Sequence, residues 1–258
     1  MNRILLFLLL IALSSEVVGQ NVDEKDVILY RKQRYGGLNL NMNGYGATAT
    51  LGKYDGAYKL WTFNADFLFV KHEKETKTWN PVNDPNARPY FYGKQNSFYT
   101  LRTGIGRKII LTEKLRKRNG VQVAYNWQAG PVFGFTKPVY LEIIYMNDTP
   151  NSQPYLEIEK FDPDRHYIDN IYGRASGLHG FDQLQFHPGG FFKFAFCFEY
   201  SNLRDRLKGI ETGVAVDAFA RRIPIMAIYS NDSKNPKNHQ VFFSLYINFF
   251  FGTKYDQK

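Results

Sequence analysis

The sequence predicts an all-β protein, a closed antiparallel transmembrane β-barrel of about eight strands with long loops at one end. Three observations predict it. Period-two alternation is sustained over segments of 11 or more residues, whereas an average soluble strand has about five or six residues and a membrane-crossing one about nine to eleven. The chain carries 18 Tyr and 22 Phe, residues that suit strands. Finally, the connections divide into short and long ones, the pattern of barrels that cross a bilayer.

Asn2 and Arg3 precede an unbroken apolar run at 4–13, and a polar stretch then closes on Val17, Val18, Gly19 and Gln20. That is the arrangement of a cleavable secretory signal, assigned to 1–19 and excluded from the fold. The 10 apolar residues fall short of the roughly 20 that a membrane-crossing helix needs. Residues 20–34 are polar, end in Arg31, Lys32, Gln33 and Arg34, and read as a flexible lead. The barrel is expected over 35–252 and a tail over 253–258.

Over 35–53, Leu38, Leu40 and Met42 oppose Asn39, Asn41 and Asn43; after Asn43-Gly44 the apolar set moves to Tyr45, Ala47, Ala49 and Leu51. This change of phase is either a tight hairpin or a bulge in one long strand. Over 58–70, Trp61, Phe63, Ala65, Phe67 and Phe69 oppose Thr62, Asn64 and Asp66. Over 99–111, Tyr99, Leu101, Ile105, Ile109 and Leu111 oppose Arg102 and Lys108; Arg107 breaks the pattern as an interfacial, snorkelling residue. From Val121 the odd positions stay apolar through Phe133, Phe135, Val139, Leu141 and Ile143, as one strand kinked at Gly130-Pro131 or two broken near Pro138. Phe192, Phe194, Phe196, Phe198 and Tyr200 oppose Lys193, Cys197 and Glu199. Ile210, Val214, Val216 and Ala218 oppose Glu211, Asp217 and Arg221. In the last segment, 240–252, Val241, Phe243, Leu245, Ile247, Phe249 and Phe251 form a wholly apolar face.

Two faces follow. Trp61, Phe63, Phe67, Phe192, Phe194, Phe196, Phe198, Phe243 and Phe249 are assigned to lipid, and Asp66, Arg102, Lys108, Lys193, Glu199, Glu211, Asp217 and Arg221 to the lumen. A secreted sandwich or lipocalin-like barrel also alternates, with its apolar face inward. The small, modestly charged polar face and the Phe-rich terminal strand favour the membrane reading. Eight strands leave room inside for side chains alone, so the lumenal charges are expected to pair and plug it; a narrow channel would need ten or more strands. The connections near 54–56, 112–119 and 202–208 are short, and those at 72–95, 147–188 and 223–239 are long. They fall at opposite ends if Asn43-Gly44 is a hairpin and the region around Pro138 is continuous.

Lys and Arg outnumber Asp and Glu by 33 to 24. A basic exported chain meets anionic lipid, polysaccharide or a partner protein rather than nucleic acid. The lone Cys197 makes no internal disulfide, and the mean hydropathy of −0.40 argues against a bundle of membrane helices. His72, His166, His179, His187 and His239 fall in or beside the long loops without zinc-site spacing. FDPDRHYID lacks the Gly and terminal Glu of a calcium loop, and Gly104-x-Gly106 marks strand bending rather than a nucleotide loop. No metal and no cofactor are expected. A barrel enzyme acting on lipid A or peptides is the first alternative, with His166 or His179 and Ser176 as a dyad that no spacing enforces. The basic clusters at 31–34 and 114–118 suit anionic headgroups, periplasmic partners or plain solvation.

The signal, the long alternating strands and the terminal QVFFSLYINFFF resemble the small outer-membrane β-barrel superfamily, in the loose sense that includes OmpX-like and PorT-like proteins of Gram-negative bacteria. HEKE at 72–75, YGKQNSFYTLR at 92–102 and GPVFGFTKPVYLEI at 130–143 are similar to uncharacterised barrels of Bacteroidota-type outer membranes. The resemblance spans 35–252, rests on pattern, and implies an outer-membrane location and the fold; activity does not follow from a fold. The expected role is a non-catalytic structural or accessory subunit whose partners are outer-membrane lipid and other outer-membrane or periplasmic proteins. Region 147–188 is its expected recognition element, with a short helix or plug within 173–182.

Overall fold

The structure is a computed structural model that describes residues 30–80, 84, 86–112, 120–146, 153–201, 203, 205–228 and 237–255. The expected signal at 1–19, most of the expected lead and the cluster at 114–118 lie outside the described residues. The strands are β1 (Lys32–Asn41), β2 (Gly44–Tyr54), β3 (Lys59–Val70), β4 (Lys77–Thr78), β5 (Tyr90–Phe91), β6 (Asn96–Thr112), β7 (Gln122–Pro138), β8 (Tyr140–Tyr145), β9 (Tyr155–Lys160), β10 (Ile171–Arg174), β11 (Gln185–Glu199), β12 (Arg206–Phe219) and β13 (Val241–Tyr255).

Eight of these close an antiparallel barrel in the order β1-β13-β12-β11-β7-β6-β3-β2. Closure leaves no barrel strand with an unpaired edge. The first and last strands pair from Lys32 with Tyr255 to Asn41 with Tyr246. The barrel therefore begins three residues before, and ends three residues after, the expected 35–252.

Both ambiguous segments resolve in favour of eight strands. Asn41 pairs with Gly44, which leaves Met42 and Asn43 as a two-residue turn. The Asn43 side chain donates to the Phe243 carbonyl at 2.8 Å and fastens the turn to β13. The phase change is thus a hairpin. β7 runs without a break through Gly130 and Pro131, where Pro131 faces Gly190 of β11, and it ends at Pro138. The parity that carries on to Ile143 does not continue the barrel wall: β8 leaves it and joins a separate sheet, β10-β8-β9. Alternation survives the break because β8 is also a strand with one buried face.

The short connections from β2 to β3, from β6 to β7 and from β11 to β12 start and finish at one end of the barrel, the turn end, where β1 begins and β13 stops. Gly56 supplies a φ of 99° in the first of these turns, a value open to glycine at little cost. The connections 71–95, 139–184 and 220–240 share the other, the loop end, with the tight 42–43 turn. There the described parts of the long connections fold on one another as a cap. Tyr90, Leu141, Ile143, Phe161, Ile171 and Ala227 form its core, each large side chain worth roughly 1.5–3 kcal/mol on burial. The Asn80 side chain bonds the Tyr172 carbonyl at 3.0 Å, and Tyr172 donates to Asp84 at 2.8 Å, which ties the first long connection to the second.

Candidate functional site

The interior is filled in layers. Nearest the loop end, Leu68, Val70, Phe98, Val132, Phe191, Phe219 and Phe242 enclose Ile223, Ile225 and Met226. Segment 223–227 is held across the mouth by Gln95 and Ala227 amides that donate to the Ile225 and Gly93 carbonyls at 2.9 and 2.8 Å. The Asn238 side chain accepts from the Ile225 and Met226 amides, each at 3.1 Å. The stopper therefore comes from the third long connection. The expected 173–182 holds the end of β10 and the start of a 3₁₀ helix, Phe181–Gln183, none of whose own residues is buried; the short helix is there in part, and the plug is supplied by 223–227 instead. The turn lies above β7, where Lys137 reaches over the Phe181 ring at 4.6 Å.

Below the stopper lies a charged layer. Arg102 donates Nε and Nη2 to the two carboxylate oxygens of Asp217, at 2.7 and 2.5 Å. Lys193 lies 3.3 Å from both Asp66 and Glu211. Asp66 also accepts from the Thr48 hydroxyl. Glu211 accepts from Tyr246 at 2.7 Å and from the Cys197 thiol at 3.3 Å. Toward the turn end, Lys108 lies 5.5 Å from the ring centres of both Tyr35 and Phe250, and Glu199 meets Lys254 at 3.0 Å. Asp66, Arg102, Lys108, Lys193, Glu199, Glu211 and Asp217 are each at most 2% exposed. Lys254 completes a set of four cations against four carboxylates. Glycines make the space: a Cβ at Gly104 would strike the Phe191 ring, and one at Gly209 the Phe250 ring.

Arg221 does not belong to this set. β12 ends at Phe219, and Arg221 is exposed in the connection that follows. Alternation orients a side chain only while the strand lasts.

On the outside, Trp61, Phe63, Phe67, Phe192, Phe196, Phe198, Phe243 and Phe249 are exposed, as are Leu38, Leu51, Ile105, Leu245 and Phe251. Phe194, also on this face, is half-buried against Phe196. Arg107, near the turn end, pairs with Asp55 at 2.9 Å and lies 5.1 Å from the Trp61 ring.

The histidines do not gather. His166 is buried and donates Nε2–H to Glu159 at 3.1 Å, because its Nδ1 accepts from the Asp162 amide at 3.0 Å. Ser176 and His179 meet through the His179 amide and the Ser176 carbonyl, 3.3 Å apart. His187 bonds Thr136, and His72 stacks on His239. FDPDRHYID forms a turn in which Asp162 accepts from the Asp164 amide. Among the described residues, no group of three His, Cys, Asp or Glu could hold a metal. In the cap, the Tyr145 hydroxyl and then the His166 ring hold the Glu159 carboxyl below the usual carboxylate range, against a smaller opposing effect of burial. Burial pulls the Lys94 ammonium down, although Glu75 lies 2.6 Å away.

Sequence reasoning missed Tyr35, Thr48 and Tyr246, which complete the charged layer, because Tyr and Thr are equally at home on either face. Lys254 was missed because β13 was expected to stop at Gly252. Stopper 223–227 carries no periodic signal at all. No protein-family model and no curated protein matches this chain.

Proposed function

We propose that the chain is an integral outer-membrane β-barrel protein that serves as a structural or accessory subunit of an outer-membrane complex and performs no catalysis. One observation carries this reading: the closed barrel keeps Asp66, Arg102, Lys193, Glu211 and Asp217 inside and turns a band of Trp61, Phe63, Phe67, Phe192, Phe196, Phe243, Phe249, Leu38, Leu51 and Ile105 outward. A secreted barrel in water would lose stability by exposing that band, whereas hydrocarbon accommodates it and tolerates strands only when closure satisfies every backbone group. Strand length agrees. The 12 residues of β3 extend about 40 Å and at a tilt of about 45° rise about 28 Å, close to an apolar band of about 25 Å.

The charged layer and the stopper favour a sealed body over a channel. The cap offers a recognition surface within 147–188. Its edge strand β9 exposes Tyr155, Leu156 and Ile158, and an edge strand has hydrogen-bonding groups free for a partner strand.

Fractionation of the producing cell tests the location. The protein should appear in the outer-membrane fraction, need detergent for extraction, and migrate faster on electrophoresis unheated than boiled. Phe196→Arg should destabilise the inserted barrel by about 2–4 kcal/mol. Recovery as a freely soluble protein, indifferent to Phe196→Arg, would overturn the proposal. Proteins that co-purify from a mild detergent extract identify the complex.

A further inference from the structure

The cap sheet has two edges, and they differ. At the β10 edge the Asn80 side chain donates to the Ile171 and Tyr172 carbonyls at 3.3 and 3.0 Å, and the Arg174 amide donates to the Arg88 carbonyl at 3.2 Å. Residues 80–88 therefore cover that edge. At the other edge β9 has β8 as its one neighbour in the sheet.

Register fixes which β9 groups are already used. The Phe161 amide donates to the Val139 carbonyl at 2.9 Å, one step from the pairing of Lys160 with Tyr140. Antiparallel pairs alternate between hydrogen-bonded and non-bonded, so Tyr155, Glu157 and Glu159 bond β8. Leu156, Ile158 and Lys160 then turn their amides and carbonyls outward. The far side of β8 agrees: the Ile144 amide donates to Asn170 and the Tyr140 carbonyl accepts from Ala175 there, at 2.8 and 3.2 Å. Among the described residues no hydrogen bond reaches the outward groups of β9, and Leu156 and Ile158 are 50% and 46% exposed.

Such an edge is a template for another strand, and its side chains select which. On one face Leu156 stands beside Ile144, and Ile158 follows two residues on. On the other face Tyr155 stacks on Tyr145 at 5.7 Å, and Glu157 and Glu159 follow. Glu159 is engaged by Tyr145 and His166, whereas Glu157 is exposed and has no ion pair among the described residues. From Tyr155 to Asn170 the chain carries five carboxylates and two cations, in a protein of net charge +9. The free edge is thus acidic on a basic molecule.

A second copy does not fit it. Since Leu156, Ile158 and Lys160 must face the equivalent groups, a two-fold antiparallel pairing centred on Glu157, Ile158 or Glu159 sets glutamate opposite glutamate each time. Like charges directly opposite destabilise a strand pair.

We propose that β9 takes up an extended segment of a partner protein as a fourth strand of the cap sheet, with apolar residues of that segment beside Leu156 and Ile158 and a Lys or Arg facing Glu157. Strand addition draws affinity from main-chain hydrogen bonds and specificity from alternate side chains. This rests on the recognition surface proposed above and names the chemistry of its occupant.

The experiment uses the mature chain in detergent micelles and a fluorescent peptide of about eight alternating Lys and Val residues, long enough to span the edge. Its counterpart alternates Glu and Val. Anisotropy should show the Lys/Val peptide bound at least about fivefold more tightly, as facing opposite charges imply. Glu157→Lys should reverse that order. Ile158→Pro removes an outward amide and none that bonds β8, a place where an edge strand tolerates proline. It should abolish peptide binding while the cap keeps its resistance to protease. In hydrogen exchange, the Leu156, Ile158 and Lys160 amides should exchange fast in the free chain and become protected with the Lys/Val peptide. Failure of that peptide to bind, equal binding of both peptides, or binding that survives Ile158→Pro overturns the proposal. Protection of the three amides in the free monomer would show the chain covering its own edge, and protection confined to a dimer would assign the edge to a second copy; either result overturns it too. All of these outcomes leave the outer-membrane location standing, whereas recovery of a freely soluble protein overturns the location and not the edge.

Discussion

In the barrel, β3, β6 and β11 turn Asp66, Arg102 and Lys193 inward and leave Phe63, Ile105 and Phe192 outside; three residues past the end of β7, the cap strand β8 packs Leu141 inward to 1% exposure and Ile143 to 0%. Both kinds of strand alternate in the same way. The difference teaches that a period of two says a strand has unlike faces, while the burial of one or the other depends on what the strand packs against. Eight closed strands surround a narrow volume, and here its middle is filled by opposite charges, with Arg102 on Asp217 and Lys193 on Asp66 and Glu211. The cap strands meet other loops, and their apolar sides exclude water in the ordinary way.

The sharpest way to break this comparison is to remove one charge from the barrel. Asp217→Ala leaves the Arg102 guanidinium buried without its bidentate partner and should cost about 3–5 kcal/mol. It is read as a lowered urea midpoint for the heat-modifiable form in detergent. Arg102→Met with Asp217→Leu should recover most of that loss, because a well-packed apolar pair can replace a buried ion pair at little cost. An unchanged midpoint for Asp217→Ala would mean that the charged layer contributes nothing to the barrel.

A cavity in the cap should act elsewhere. Ile143→Ala should cost the cap about 2–4 kcal/mol. Limited proteolysis should then cut within 139–184 at lower protease concentration, with the urea midpoint of the barrel unchanged. A matching fall in barrel stability would show that cap and barrel unfold as one unit.

The smallest expected effect is electrostatic. Glu159 has its carboxyl held below the usual range in the folded cap, chiefly by Tyr145 at 2.7 Å. Its folded pKa is below the unfolded one, so its contribution is fully present above about pH 4.3, the ordinary value, and is lost as pH falls through the folded value. Protease sensitivity of the cap should therefore rise more steeply on acidification in the native chain than in Glu159→Gln. Parallel pH profiles would remove Glu159 from the account.

Much of the barrel is legible in the residues themselves. Strand length, the two faces and seven lumenal charges follow from alternation, which is a local property of extended chain, whereas alternation left Asn43-Gly44 open between hairpin and bulge until the pairing of Asn41 with Gly44 decided it. Arg221 fails because it lies two residues beyond the strand that would have oriented it. The stopper at 223–227 and the cap core are illegible for a related reason: their burial comes from packing between segments far apart in the chain, such as the Ala227 amide on the Gly93 carbonyl.

By itself, then, the sequence determined which residues lie on opposite sides of the strands and which connections are long, because backbone geometry alone imposes the period. Tertiary structure decided which ion meets which, that 223–227 closes the mouth, and that β8 serves a cap. Those outcomes depend on closure and on packing between distant segments, and no local pattern encodes them.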